Sequence, residues 1–378
     1  MTDGPGKARH NPLRKRAVAL AAMAAGLIAG GCVPASFRQV QTPRAGRAFD
    51  GRVAIVYSKD YQINLLGFER LHSFDIHKYA RIYLQLQLDG LIRPADVFVP
   101  CPVTREQALG VHTPQFWDGL KKSKTVGRYL EVGAIGLMPG VLADAAIVSP
   151  FRCATGGTVL AGRLAVEHGI AINLAGGYNH ARGDRGGGFN IFADVPIAIR
   201  ILQQAGRIKR AMIVDLDVHQ GDGPAVCFAG DESVFTFSIH QGDIYPYPKA
   251  HSDLDVELPA GTGDGEYMTA LARHWPAVLD RFRPDIVFFV AGADVLADDP
   301  LAGLRLTVDG LVARDAAVID ACAGRDIPVA MVLAGGYGRN AWLAQYRSIR
   351  RTLRKYGQPD GRPNPPRKAT LAERSYVR

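Results

Sequence analysis

Residues 214–223 read VDLDVHQGDG. Asp215, Asp217 and Asp222 crowd around one histidine, His219, straight after the apolar run Ala211–Val214. Burying carboxylates is costly unless something positive meets them. Either the knot is exposed, as a capped helix start with surface acids, or a cation sits in it. Asp217 and His219 are two apart, and on an extended strand end residues i and i+2 point to the same side. One carboxylate and one imidazole could therefore grip one ion. Asp294 ends another apolar run and could supply a third ligand. A carboxylate–imidazole–carboxylate set without thiolate suits zinc, iron or manganese, and three protein ligands leave a position open for water.

Such an ion lowers the pKa of its water from about 15.7 to about 7 and polarises a carbonyl. The reaction still needs a base that takes the water proton and later hands it to a leaving amine. His180 in AGGYNH is the candidate, and Asp222 could fix its tautomer. The plainer reading of His180 is a structural histidine. Tyr337 in AGGYG is flanked by glycines, which leave its phenol free to protrude and donate a hydrogen bond to a forming oxyanion. Its plainer reading is a tyrosine packed on a loop.

These residues need a scaffold. Apolar, β-branched runs at Val53–Tyr57, Ile170–Leu174, Ala211–Leu216, Val234–Ile239, Ile286–Val290 and Val329–Leu333 read as strands. Helical patterns fall at Gly157–Glu167, Phe192–Ala205, Glu266–Phe282, Val308–Cys322 and Trp342–Leu353. Continuous apolar strands separated by helices predict a three-layer α/β/α fold around a central, mostly parallel sheet. No glycine- or proline-rich linker divides residues 51–357, which predicts one catalytic domain. Four polar clusters directly follow strands: AGGYNH, DVHQGDG, AGADVLADD and AGGYG. Open parallel sheets bind ligands beyond the carboxyl ends of their strands, so the four should meet on one rim.

The assembly TGGTVLAGRLAVEHGIAINLAGGYNHA, DRGGGFN, DLDVHQGDG, AGADVLADDPLAGLRLT and LAGGYG, in this order, resembles the histone deacetylase family within the arginase/deacetylase fold. DRGGGF and the DVHQGDG string are most similar to the class IV branch. The resemblance implies Asp217, His219 and Asp294 as zinc ligands, with Fe(2+) as an alternative metal. It implies His180 as general base with Asp222 as its partner, and Tyr337 as the group polarising the acyl carbonyl. Phe189 would line a narrow acyl-lysine tunnel that Tyr245 faces. Asp215 would sit beneath the site and, with Ser238 and backbone carbonyls, hold a monovalent cation, K(+). The family usually carries two adjacent histidines after its paired glycines, and here Asn179 stands in the first position. Asparagine donates hydrogen bonds but takes up no proton near neutrality, so one titrating imidazole remains.

The net charge of +9 belongs to the ends. Residues 1–31 carry +4 and residues 347–378 carry +8, which leaves −3 for the body and argues against a nucleic-acid-binding face. In residues 1–31 a basic stretch precedes the apolar run Ala17–Gly31, too short for a membrane span, as in an export signal. The string LIAGGC resembles a bacterial lipoprotein signal, which would lipidate Cys32 and anchor the protein in the cell envelope, facing the periplasm, with the outer membrane as one destination. Residues 32–50 then read as a linker and 358–378 as a disordered basic tail. Cys101, Cys153, Cys227 and Cys322 lack CxxC spacing and read as buried free thiols.

The expected activity is metal-dependent hydrolysis of an N-acylated amine: acyl-lysine, a peptide, or, outside the cytoplasm, an acylated polyamine. Two rivals stand beside it. One is an arginase-like ureohydrolase on the same fold; the other is a non-catalytic envelope protein that keeps a metal for stability.

Overall fold

The computed structural model describes residues 52–65, 69 and 74–357. The expected export signal, Cys32, the linker and the basic tail lie outside the described residues. Among those described, eight strands form one sheet: β1 (Arg52–Val56), β2 (Val97–Phe98), β3 (Gly169–Asn173), β4 (Ala211–Asp215), β5 (Val234–Gln241), β6 (Leu254–Leu258), β7 (Ile286–Val290) and β8 (Val329–Val332). Their order is β2-β1-β3-β8-β7-β4-β5-β6, and every pairing is parallel. The sheet is thus wholly rather than mostly parallel. Strands β3, β4, β5, β7 and β8 are buried at every position, as the unbroken apolar runs require when helices cover both faces.

The longer helices are α1 (Lys78–Leu88), α2 (Ser149–His168), α3 (Asp194–Gln204), α4 (Asp264–Phe282), α5 (Val308–Ala323) and α6 (Ala341–Tyr356). In α6 the buried positions Ala341, Ala344, Gln345, Ser348, Ile349 and Thr352 recur at helical spacing. Its basic side chains fall between them, so part of the C-terminal charge is the outer face of a helix.

Differences from the expected elements have local causes. Helix α2 begins eight residues before Gly157, with Pro150 in its first turn. Gly156 and Gly157 look like helix breakers, yet both are interior, because a Cβ at Gly156 would sit 1.9 Å from the Cys101 carbonyl oxygen and one at Gly157 2.2 Å from the Tyr61 hydroxyl. Close approach to neighbouring elements requires them. Strands β2 and β6 were not expected. They are the sheet edges, with two residues in one and partly exposed positions in the other. The thiols also differ from expectation: Cys153 and Cys322 are buried, but Cys227 is half-buried and Cys101 exposed.

The topology positions the site. The four polar clusters follow β3, β4, β7 and β8, and these are the four central strands, adjacent in the order β3-β8-β7-β4. Segments distant in sequence therefore open onto one rim.

Candidate active site

Asp217, His219 and Asp294 come together there. Each offers one ligand atom, all within 4.8 Å of one another, and all three residues are buried. Backbone amides hold the carboxylates: Gly335 N–H donates to Asp217 Oδ2 (2.9 Å), His219 N–H to Asp217 Oδ1 (3.0 Å) and Val218 N–H to Asp294 Oδ1 (2.9 Å). His219 Nδ1 lies 3.2 Å from Asp217 Oδ1 and 3.3 Å from Asp294 Oδ2. Gly335 and Gly292 leave room for these oxygens. A Cβ at Gly335 would fall 2.1 Å from Asp294 Oδ2, and one at Gly292 2.3 Å from Asp217 Oδ2.

The charges in this cradle do not balance by themselves. Asp215, Asp217 and Asp294 are 2%, 2% and 0% exposed. Burial and the neighbouring Asp217 charge push the Asp294 carboxyl up to about 7, and the same two causes hold Asp215 well above the usual carboxylate range. Burial alone would raise Asp217 too, but its hydrogen bond to His219 and the imidazolium charge outweigh that and lower it. His219, despite desolvation, is drawn up to about 10 by the two carboxylates. Asp294 Oδ2 is buried and, beyond its 3.3 Å ion-pair contact with His219 Nδ1, meets no donor among the described residues. A divalent cation removes the imbalance and gives that oxygen a partner. The donor set fits zinc or another first-row divalent ion.

His180 stands in the loop after β3, its ring 5.7 Å from that of His219 between centroids. Its Nδ1 lies 2.6 Å from Asp222 Oδ1, which leaves Nε2 as the atom able to carry a proton. Arg182 shares the same carboxylate, with Nε and Nη2 donating to Asp222 Oδ2 at 3.0 and 2.5 Å. Burial raises Asp222, but these two partners outweigh it and keep the carboxyl below its usual range. Asn179 donates from Nδ2 to Asp215 Oδ2 (3.1 Å), so the residue in place of a histidine is tied to the acid beneath the site.

Tyr337 is held from behind. Its backbone N–H donates to Asp299 Oδ2 (2.8 Å), and its ring meets Phe74 and Phe189 edge-on, both at 5.9 Å. Burial, followed by the charges of Asp294, Asp217 and Asp299, raises its phenol well above 10. The phenol therefore remains protonated and can act as a donor. Phe189 adopts a left-handed backbone (φ 66°), next to Gly188, whose added Cβ would strike the His180 ring at 2.5 Å. Tyr245, 42% exposed, sits edge-on to His180 at 4.9 Å and to His219 at 6.4 Å. The two expected tunnel residues thus flank the chemistry from separate loops. Asp215 and Ser238 are partners in the β4–β5 register, where the Ser238 hydroxyl lies 2.9 Å from His240 Nδ1.

Sequence reasoning missed four members of this region. Phe74 packs on Tyr337. Lys78, 1% exposed, donates from Nζ to the Ala334 and Gly335 carbonyl oxygens at 2.8 and 2.9 Å. Burial brings its ammonium down to about 8, against the pull of Asp294 and Asp217. Asp299 anchors the Tyr337 loop, and Arg182 braces Asp222. Only Arg182, two residues after His180 as His219 is two after Asp217, had a legible spacing signal. Lys78 lies in a stretch with no motif and some 256 residues from its partner.

Comparison with known proteins places this arrangement. A Histone deacetylase domain matches residues 72–353, which takes in every site residue above. Histone deacetylase 2 of Arabidopsis thaliana is 36% identical over 293 residues, 77% of this chain and 76% of the plant protein. A Histone deacetylase-like amidohydrolase of Pseudomonas aeruginosa is 28% identical over 70% of this chain and 72% of its own length. The crystal structure of an HDAC homolog complexed with SAHA superposes with a TM-score of 0.67 at 22% identity, over 86% of this chain and 88% of that one, and supports the same fold. The family match spans all four strand-end clusters, and the protein belongs to the histone deacetylase family.

Proposed function

We propose that the protein is a zinc-dependent deacylase that hydrolyses the amide of N-acyl-lysine or a related acylated amine. The observation that carries this reading is the convergence of a buried Asp217–His219–Asp294 cradle with a carboxylate-held imidazole and a protonated phenol on one rim. When bound, the metal supplies a Lewis acid that makes water nucleophilic at neutral pH and polarises the acyl carbonyl. His180 takes the water proton at Nε2 and passes it to the leaving amine nitrogen. Asp222 fixes the imidazole tautomer that leaves Nε2 free. Tyr337 donates to the carbonyl oxygen as negative charge develops there. Asn179 stays neutral throughout. The products are a carboxylate and a free amine.

The finer assignments rest on sequence. DRGGGF and DVHQGDG favour the class IV branch, and with it longer acyl chains. LIAGGC favours lipidation at Cys32 and an envelope location, where acylated peptides or polyamines are the available substrates. Asp215 and Ser238 are the side chains that would contribute to a K(+) site. The test is turnover of acetyl, butyryl and myristoyl lysine peptides and polyamines, with zinc or iron added back to metal-stripped protein. Release of free amine that depends on the metal supports the reading. Absence of turnover across the panel, with the metal bound and the fold intact, would leave a binding protein instead.

A further inference from the structure

Arg314 of α5 is 0% exposed, and so is its neighbour Asp315. Its Nε donates to Asp315 Oδ1 (2.9 Å), and its Nη2 lies 2.8 Å from the same oxygen. The remaining nitrogen does something different. Nη1 donates to two backbone carbonyls, Leu216 O at 2.9 Å and Gly292 O at 2.8 Å. Leu216 directly precedes the metal-ligand candidate Asp217, and Gly292 stands two residues before Asp294.

The place of these carbonyls explains why an arginine is needed. Strands β4 and β7 pair in register as far as Asp215 and Val290, and Leu216 N–H still donates to Val290 O (3.0 Å). Beyond that point no further backbone bond joins the two chains among the described residues, although Gly292 stays packed against Asp217. Buried carbonyls released from a ladder need another donor. A guanidinium presents several N–H groups in a rigid, planar fork, so one nitrogen can span two strand ends while the others are held by a carboxylate. The gap it spans is tight: a Cβ at Gly292 would already strike Asp217 Oδ2 at 2.3 Å.

We infer that Arg314 is a positioning residue for the metal centre, which fixes the separation of the β4 and β7 ends and hence that of Asp217 from Asp294. The inference rests on the metal-dependent reading above. Groups that orient ligands from behind typically change metal affinity about 10–100-fold when removed.

The test uses the full chain, stripped of metal and titrated with zinc against a chromophoric chelator. The double variant Arg314→Met/Asp315→Leu removes both charges, so that no buried carboxylate is left unpaired. It should melt cooperatively, bind zinc about tenfold or more weakly than the parent, and show altered visible bands when loaded with cobalt. Its kcat should fall while KM stays within about twofold. Arg314→Lys keeps the charge but not the fork and should lie between the two; it gives the same reading if the double variant does not fold. Asp309→Asn, on the exposed side of the same helix where Asp309 pairs with Arg347, should leave zinc affinity unchanged. A folded Arg314 variant with parental zinc affinity and cobalt spectrum would overturn the inference alone. A parent that takes up no zinc would overturn the metal-dependent reading and this inference with it.

Discussion

At the residue scale, the groups proposed for metal binding and for proton transfer are separate. The three cradle residues are the groups a cation would satisfy. His180 and Asp222 form a second unit, joined to the cradle through ring contact but not through shared carboxylates. Removing the imbalance and moving the proton are therefore different jobs. His180→Ala should lower kcat by about 10²–10⁴, the usual worth of a positioned general base, while zinc affinity by chelator competition remains within about threefold of the parent. Equal losses of both would mean that His180 belongs to the cradle. The residue types were legible because DVHQGDG and AGGYNH put acids and imidazoles at spacing 2 or at strand ends. Phe74 and Lys78 were not legible, since each acts on Tyr337 or its loop from a segment with no chemical signature of its own, and Asp299, although it closes the AGADVLADD cluster, acts through a contact 38 positions away that the cluster does not show.

At the element scale, helices α5 and α6 are joined by an ionic clamp on the far side from the catalytic loops. Asp320 of α5 accepts from Arg351 Nη1 and Nη2 (2.7 and 2.5 Å), Lys355 Nζ (2.9 Å) and the Tyr356 hydroxyl (2.6 Å), all of α6. Burial raises this carboxyl, but those partners win and lower it below the usual range. A carboxyl depressed in the folded state stabilises above its unfolded pKa, about 3.9, and loses that contribution as the pH falls below it. The pair is part-exposed and screened, so the gain is about 1 kcal/mol. Asp320→Asn should therefore destabilise by about 1 kcal/mol in urea melts at pH 7, and the difference from the parent should shrink below about pH 4. A pH-independent difference would show that the clamp acts by packing. Six of the eight strands, β1, β3, β4, β5, β7 and β8, were readable from apolar runs, whereas α1, β2 and β6 were not. The edge strands are too short or too exposed to leave a continuous apolar signal.

At the scale of the whole molecule, the candidate metal cradle joins β4, β7 and the loop after β8, so a cation bound there would tie together segments that are separate in the chain. A ligand that binds only the folded state stabilises it by RT ln(1 + [L]/Kd), about 4 kcal/mol at a thousandfold excess over Kd. Zinc should raise the melting temperature of stripped protein by several degrees, and a chelator should reverse it. An unchanged melting temperature at saturating zinc would place the ion outside this cradle. The amino-acid sequence alone determined the layered α/β architecture and the residue types offered to the candidate site, because period and residue type are local properties that a linear pattern records. Tertiary structure alone decided that β3, β8, β7 and β4 are neighbours, that Arg182 and His180 share one carboxylate, and that Arg314 bridges the ends of β4 and β7. Each of these depends on contacts between residues tens to hundreds of positions apart, fixed by crossover connections and close packing that no short stretch of chain encodes.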